Sequence, residues 1–371
     1  MADSTKSGQN SNRATEGMGG QGFYDDNSAV QRNAVLQQAE RLRHAVGTMD
    51  LGGPELRVMD YGCGPGRNSM AAFRAVLDEV EALAPTLPVV TVHNDQIGND
   101  WNDLFANIQG AGGYLDSSRP VRPVASVGSF YGPAASADSI DLGMSFMAAH
   151  WLDGAIALPS PGTLFFADMK GEARHAIEAK ADRDWTLFLR ERAKELKQGG
   201  WLVVETISAV EDLEDWSGLA AGGHKLYRAF WHIADGMARD GLLDSAALER
   251  FVFPVYFRQL AEVRAPIDRE ADLNATFEIV ELSAEMIPNP YTPPLEQTGD
   301  TAQFAKDYVG YARGFSESAL HNGLFDASAS SAEDAGRLAE TFYQRLEALV
   351  AADPGPYTGG TQSMTVVLRR K

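Results

Sequence analysis

The chain has 371 residues, of which 44% are hydrophobic, 22% charged and 9% aromatic, the composition of a globular protein with two packed units or one large fold carrying an insertion. Its 32 Lys and Arg against 51 Asp and Glu leave a net charge of −19, which disfavours nucleic acid and membrane surfaces as partners and obliges any anionic small molecule to find a neutral, donor-rich pocket. Cys63 is the single cysteine, which excludes an internal disulfide and a cysteine metal cluster, and with no secretory-type start and no apolar run near about eighteen residues a cytoplasmic protein is expected.

Residues 1–17 are polar, lack an apolar period and read as a flexible tail. Between Ser28 and Val46, residues Val30, Ala34, Val35, Ala39, Leu42 and Val46 recur at helical spacing and predict one amphipathic helix. A strand over Leu56–Tyr61 then runs into a glycine cluster, followed by a helix over Ser69–Leu83 that stops before Pro85. The β-branched run Val89–Val92 ends on His93-Asn94-Asp95 and completes a βαβ unit. Further strands are predicted over Val121–Val127, Ser139–Met144 and Trp201–Ile207, the last behind a helix over Asp184–Leu196 and its Gly199-Gly200 stop. This alternation predicts a parallel sheet covered on both faces.

From Glu211 to Arg264 the pattern is helical and rich in aromatics, as expected of a cap on the carboxyl edge of the sheet, where such folds bind ligands. Late strands are expected over Phe277–Leu282 and Met364–Leu368, with helices over Asp300–Leu320 and Ala332–Ala351. The expected organisation is a core over 18–208, a helical cap over 209–275, and a remainder over 276–371 that supplies the last strands and further cap helices.

The densest motif is Asp60-Tyr61-Gly62-Cys63-Gly64-Pro65-Gly66, where a strand passes into a helix. Glycines there admit positive φ and close backbone approach, and the helix start offers unpaired N–H donors. The dinucleotide fingerprint would be G-x-G-x-x-G with a pyrophosphate on the helix. Here the spacing is G-x-G-x-G, and Asp60 beside it would repel pyrophosphate but attract an ammonium group. That favours S-adenosylmethionine, which is zwitterionic at its amino acid end and carries no phosphate. Asp95, ending the second strand, is placed to accept from ribose hydroxyls.

Four strings in the same order then resemble the SABATH family, the salicylate, benzoate and theobromine type of S-adenosylmethionine-dependent methyltransferases. They are Met18–Gln31, the glycine turn with Asn68, Asn94–Asn102, and Gly128-Ser129-Phe130-Tyr131-Gly132 followed by His150-Trp151-Leu152; Phe188–Ala193 extends the match. The resemblance implies a Rossmann-like α/β fold with a seven-stranded sheet, helices on both faces and a mainly helical cap. It implies cofactor contacts from Tyr24, Gly62, Asn68, Asp95, Gln96, Ser129 and Phe130, beside Asp60 and Gly64 of the turn. Gln31, Met147, His150, Trp151 and Tyr227 are implied to face the substrate. Many members carry tyrosine at the position of Met147 and tryptophan at that of Tyr227, so the pocket differs in shape. Val252 stands where some plant members use an asparagine for magnesium, and no metal is expected. A homodimer is implied as well, and the arginine-heavy, lysine-poor, alanine-rich usage points to a bacterial member.

Methyl transfer from a sulfonium is an in-line displacement whose leaving group departs neutral. A carboxylic acid with a pKa near 4 is roughly 99.9% ionised at pH 7, so it needs no general base, only donors that orient one oxygen. Gln31 and Trp151 are neutral donors suited to this task, with His150 as a third catalytic candidate, and a small, largely apolar carboxylic acid is the expected partner. Three readings compete: methylation of a xanthine-like ring nitrogen, a non-catalytic S-adenosylmethionine sensor, and a dinucleotide oxidoreductase.

Overall fold

The structure, a computed structural model, describes residues 27–115, 120–154, 156, 158–209 and 221–371, with side chains 221–223 excepted. Its framework is a sheet of β1 (Leu56–Tyr61), β2 (Val89–Asp95), β3 (Val121–Val127), β4 (Ile140–Phe146), β5 (Leu196–Ile207), β6 (Phe277–Ile287) and β7 (Thr361–Arg370). The spatial order is β3-β2-β1-β4-β5-β7-β6, with β1 flanked by β2 and β4. Strands β1, β2 and β4 are buried nearly end to end, as parallel strands covered on both faces must be, whereas β3 is largely exposed at the edge.

The sheet is mixed. β1 to β5 pair in parallel, as their alternation with helices predicts, but β7 lies antiparallel between β5 and β6. The cause lies in the chain path: β7 follows a cap helix, enters the sheet from the carboxyl edge at Thr361, and can only run back against β5.

On one face, α1 (Ala29–Gln37), α2 (Ala39–Thr48), α3 (Ser69–Leu83) and α4 (Trp101–Gln109) bury Val35, Leu42, Phe73 and Leu104 against Val58, Leu142 and Val203. The single helix expected over Ser28–Val46 is thus two. The break is at Gln38, whose buried side chain turns inward to donate from Nε2 to Thr365 Oγ1 at 3.1 Å. Helix α5 (Gly171–Glu195) starts earlier than the expected Asp184 and reaches from the cap to the second face of the sheet.

The cap comprises α6 (Ala221–Arg239) and α7 (Ser245–Arg250) with α10 (Thr292–Thr298), α11 (Thr301–Leu320) and α12 (Ala332–Ala352), gathered around Phe230, Phe253, Phe325 and Phe342. Between them in sequence, α8 (Leu260–Arg269) and α9 (Ala271–Thr276) pack instead on the second face of the sheet, where Val263, Ile267 and Leu273 join Met59, Trp185 and Leu202. Among the described residues no helix is long and apolar enough to cross a membrane.

Candidate active site

β1 ends at Tyr61 and the chain turns through Gly62, Gly64 and Gly66, with φ of +83°, +55° and +89°. A Cβ on Gly62 would stand 2.5 Å from Ala148 Cβ and 3.3 Å from Phe130, so the turn must be glycine to fit between those two loops. Gly62 and Cys63 donate their N–H groups to Asn94 O at 2.9 and 3.0 Å, and Asn99 and Asn107 donate from Nδ2 to Gly64 O and Pro65 O at 2.8 and 2.9 Å. The turn is thereby fastened from the β2 side by asparagines.

Asp95 accepts from Gly64 N on Oδ2 and from Gln96 N on Oδ1, both at 2.7 Å, which anchors the carboxylate at the mouth of the turn. Burial pushes its pKa up to about 6, and the two backbone donors oppose that rise. Asp60, buried one step before the turn, accepts from Ser69 Oγ. Burial, with the nearby negative charge of Asp95, pushes Asp60 up to about 7, while the Ser69 hydrogen bond pulls it down. Asn68 exchanges hydrogen bonds with Ser28 at the start of α1, so its side chain ties the turn to that helix. Tyr24, also expected at the cofactor, lies outside the described residues.

The loop after β3 forms the opposite wall. Gly128, with φ +151°, donates to Asp95 O at 2.9 Å, and no atom lies within 4 Å of where its Cβ would be. That open space beside Asp95 is a cradle any side chain would fill. Open space of that kind is suited to a nucleoside with free hydroxyls. Phe130 packs beside Gly62, and Ser129 Oγ reaches Asp153 Oδ1 at 3.3 Å while accepting from Tyr131 N at 3.2 Å.

This loop is held from behind by residues that sequence reasoning missed. Arg192, 0% exposed, donates from Nη1 to Phe130 O at 2.6 Å and from Nη2 to Gly132 O at 3.1 Å. Its guanidinium lies 4.0 Å above the Tyr61 ring and pairs with Glu195, which also accepts from Tyr61 OH at 2.8 Å and from Ala134 N and Ala135 N at 2.6 and 3.0 Å. The available signal was an arginine and a glutamate placed on the same helical stripe as Trp185, Phe188 and Leu189.

A pocket with about 710 Å³ of atom-free space, its open mouth included, lies under the cap. It brings together all five residues expected to face a substrate: Gln31, Met147, His150, Trp151 and Tyr227. Met147 takes φ +54°, uncommon for a residue with a side chain, and donates its N–H to Glu205 O at 2.8 Å. This turn leads β4 into His150 and Trp151, which the segment around Val255 then fastens: Trp151 bridges Val255, Tyr256 N donates to His150 O at 2.8 Å, and Arg258 Nη1 to Ala149 O at 2.8 Å.

His150 Nδ1 shares a hydrogen bond with Thr206 Oγ1 at 3.1 Å, and burial, aided by the Arg258 charge, lowers its pKa to about 3. The ring is therefore neutral. Gln31 is only 6% exposed and its Oε1 is buried without a hydrogen-bond partner. Tyr227 stacks on Phe165 with centroids 4.4 Å apart and planes at 3°. Of the other cap aromatics, Phe257 lines the pocket, whereas Phe230, Phe251 and Phe253 pack into the cap core. The missing wall comes from Tyr308, Tyr311 and Phe315 of α11 and from Asn289 and Thr361. Their helical spacing was visible, but an aromatic stripe reads equally well as core.

In fold the chain matches a loganic acid methyltransferase solved with SAH, with a TM-score of 0.74 over 95% of this chain and 98% of that one, at 21% identity. At the level of sequence, residues 10–341 match the SAM dependent carboxyl methyltransferase family, and the chain belongs to it. Its cofactor is S-adenosylmethionine. Similar proteins include a probable S-adenosylmethionine-dependent methyltransferase of Arabidopsis thaliana, 26% identical over 289 residues covering 70% of this chain and 76% of that protein. Caffeine synthase 1 of Camellia taliensis is 26% identical over 277 residues, 68% of this chain and 72% of that protein.

Proposed function

We propose that this methyltransferase esterifies the carboxylate of a small, largely apolar acid, giving its methyl ester and S-adenosylhomocysteine. The observation that carries the reading is the chemistry of the pocket wall. Among the described residues lining it there is no Lys, Arg, Asp or Glu, and its one imidazole is neutral. The only base this wall offers is that imidazole, and with its pKa lowered to about 3 it is a poor acceptor for the proton of a ring N–H. A carboxylate, already ionised at neutral pH, needs none.

S-adenosylmethionine, when bound, supplies a methyl group on a sulfonium that leaves as a neutral thioether. The chain's own contribution is placement. Asp95 is suited to accept from ribose hydroxyls, Asp60 to favour an ammonium group beside the glycine turn, and Gly62, Gly64, Gln96, Ser129 and Phe130 to enclose them; Asn68 would hold the turn against α1. Gln31 Nε2 and Trp151 Nε1 are suited to donate to one carboxylate oxygen and leave the other free to attack. His150, neutral and steadied by Thr206, offers a third polar contact. Neutral donors orient the nucleophile without the ground-state stabilisation that a cation would add.

The test is turnover with S-adenosylmethionine against salicylate, benzoate, indole acetate, medium-chain fatty acids and xanthines, with the product identified as ester or N-methyl compound. Methyl ester from at least one acid is expected. Methylation of xanthines alone would overturn the carboxylate reading, and cofactor binding without transfer to any acceptor would favour a sensor.

A further inference from the structure

We propose that Tyr227 and Tyr311 form a second polar subsite, whose hydroxyls hold one oxygen function of the acceptor, a hydroxyl or a carbonyl, at the end away from its carboxylate. The proposal rests on the carboxylate reading above and assigns the rest of the acceptor: an alicyclic or aromatic acid that carries a single further oxygen.

Four other buried tyrosines each have a partner. Tyr61 donates to Glu195 at 2.8 Å, Tyr256 to Glu262 at 2.6 Å, Tyr114 shares a hydrogen bond with Thr91 at 2.7 Å and Tyr343 with Ser316 at 2.7 Å. A buried phenol left without a partner loses its hydration with nothing in return, which is why such pairing is the rule. Tyr227, 4% exposed on α6, and Tyr311, 8% exposed on α11, break that rule: among the described residues neither hydroxyl has a hydrogen-bond partner.

Both line the pocket, and neither hydroxyl oxygen is among the sealed, partnerless atoms such as Gln31 Oε1. The two rings flank Phe315, with centroids 6.4 and 5.2 Å from it, and so belong to one wall. Around them Leu226, Phe257 and Phe315 are apolar. This wall is built by the cap helices, whereas His150 and Trp151 follow β4 at the edge of the sheet. Burial raises both phenols above their usual range, so they remain protonated donors at any working pH. Two donors in an apolar wall are what a single oxygen function on a hydrocarbon frame requires, and a site of this kind rejects the analogue that lacks it.

The experiment compares matched acids: cyclohexanecarboxylate with its 3- and 4-hydroxy and 4-oxo derivatives, and benzoate with its hydroxybenzoates, on wild type, Tyr227→Phe and Tyr311→Phe. Wild type is expected to prefer at least one oxygenated acid over its parent by about tenfold or more in kcat/KM. In each variant that ratio is expected to fall toward one. The ratio is taken within one preparation, so a smaller folded fraction leaves it unchanged. Ester formation at equal rates across every pair, or a preference that survives both variants, would overturn the subsite and leave the carboxylate reading standing. No ester from any acid would overturn both.

Discussion

Asp60 and Asp95 set a pH dependence that can be worked out from their surroundings. Both carboxyls sit above their usual range, at about 7 and about 6, chiefly through burial. Between about pH 4 and 7 the folded chain therefore holds protons that the unfolded chain has released, so these two groups make the fold more stable as pH falls through that window and less stable as it rises. An ammonium group arriving beside them favours their ionised forms. Cofactor affinity should then weaken by about tenfold between pH 8 and 5.5, and binding near pH 6.5 should release protons. Calorimetry in two buffers of different ionisation enthalpy measures both, and a flat affinity would remove Asp60 from the site. At the same scale, Trp151→Phe is expected to lower turnover at least about tenfold while leaving cofactor affinity nearly intact. A large loss of cofactor binding would place the indole at the nucleoside instead.

Among the elements, α5 has a second task besides covering the sheet, because Arg192 and Glu195 hold the backbone of the loop from Phe130 to Ala135. Arg192→Met leaves Glu195 buried and uncompensated, and should cost about 3 to 5 kcal/mol of stability, read from denaturant unfolding. If the arginine also positions the cofactor wall, the KM for S-adenosylmethionine should rise more than kcat falls, with Arg192→Lys recovering only part of it, since an ammonium cannot span two carbonyls as a planar fork does. Equal changes in both parameters would mean a structural role alone. The contrast with the glycine turn explains what the sequence could disclose. The turn and Asp95 lie within one βαβ unit whose short-range chemistry points to a nucleoside, whereas His150 and Trp151 were singled out only by the family resemblance. Arg192 and Tyr311 act across the fold, on partners at no fixed separation, and periodicity reports a buried face without saying what it meets. The end of the cap was hidden for the same reason: α8 and α9 follow the cap helices in sequence and also bury an apolar face, but pack it on the sheet.

For the whole molecule, the net charge of −19 acts against the proposed acceptor, because an anion approaching this chain is repelled until it reaches the neutral pocket. Raising the salt from about 20 to about 200 mM shortens the screening length from about 20 Å to about 7 Å, so kcat/KM for a carboxylate should rise a few-fold while that for a neutral acceptor stays level. Identical salt responses would argue that the acceptor reaches the site uncharged. The position of β7 bears on how the protein assembles. β6 is paired only with β7, and β7 reaches β5 only after residues 208–360, cap included, have been laid down between them. Closing so long a loop is entropically demanding and slow. The roof over the reaction chamber is thus not a detachable module: excising it would sever the sheet's own seam, and the lid and its foundation are expected to melt together in a single transition.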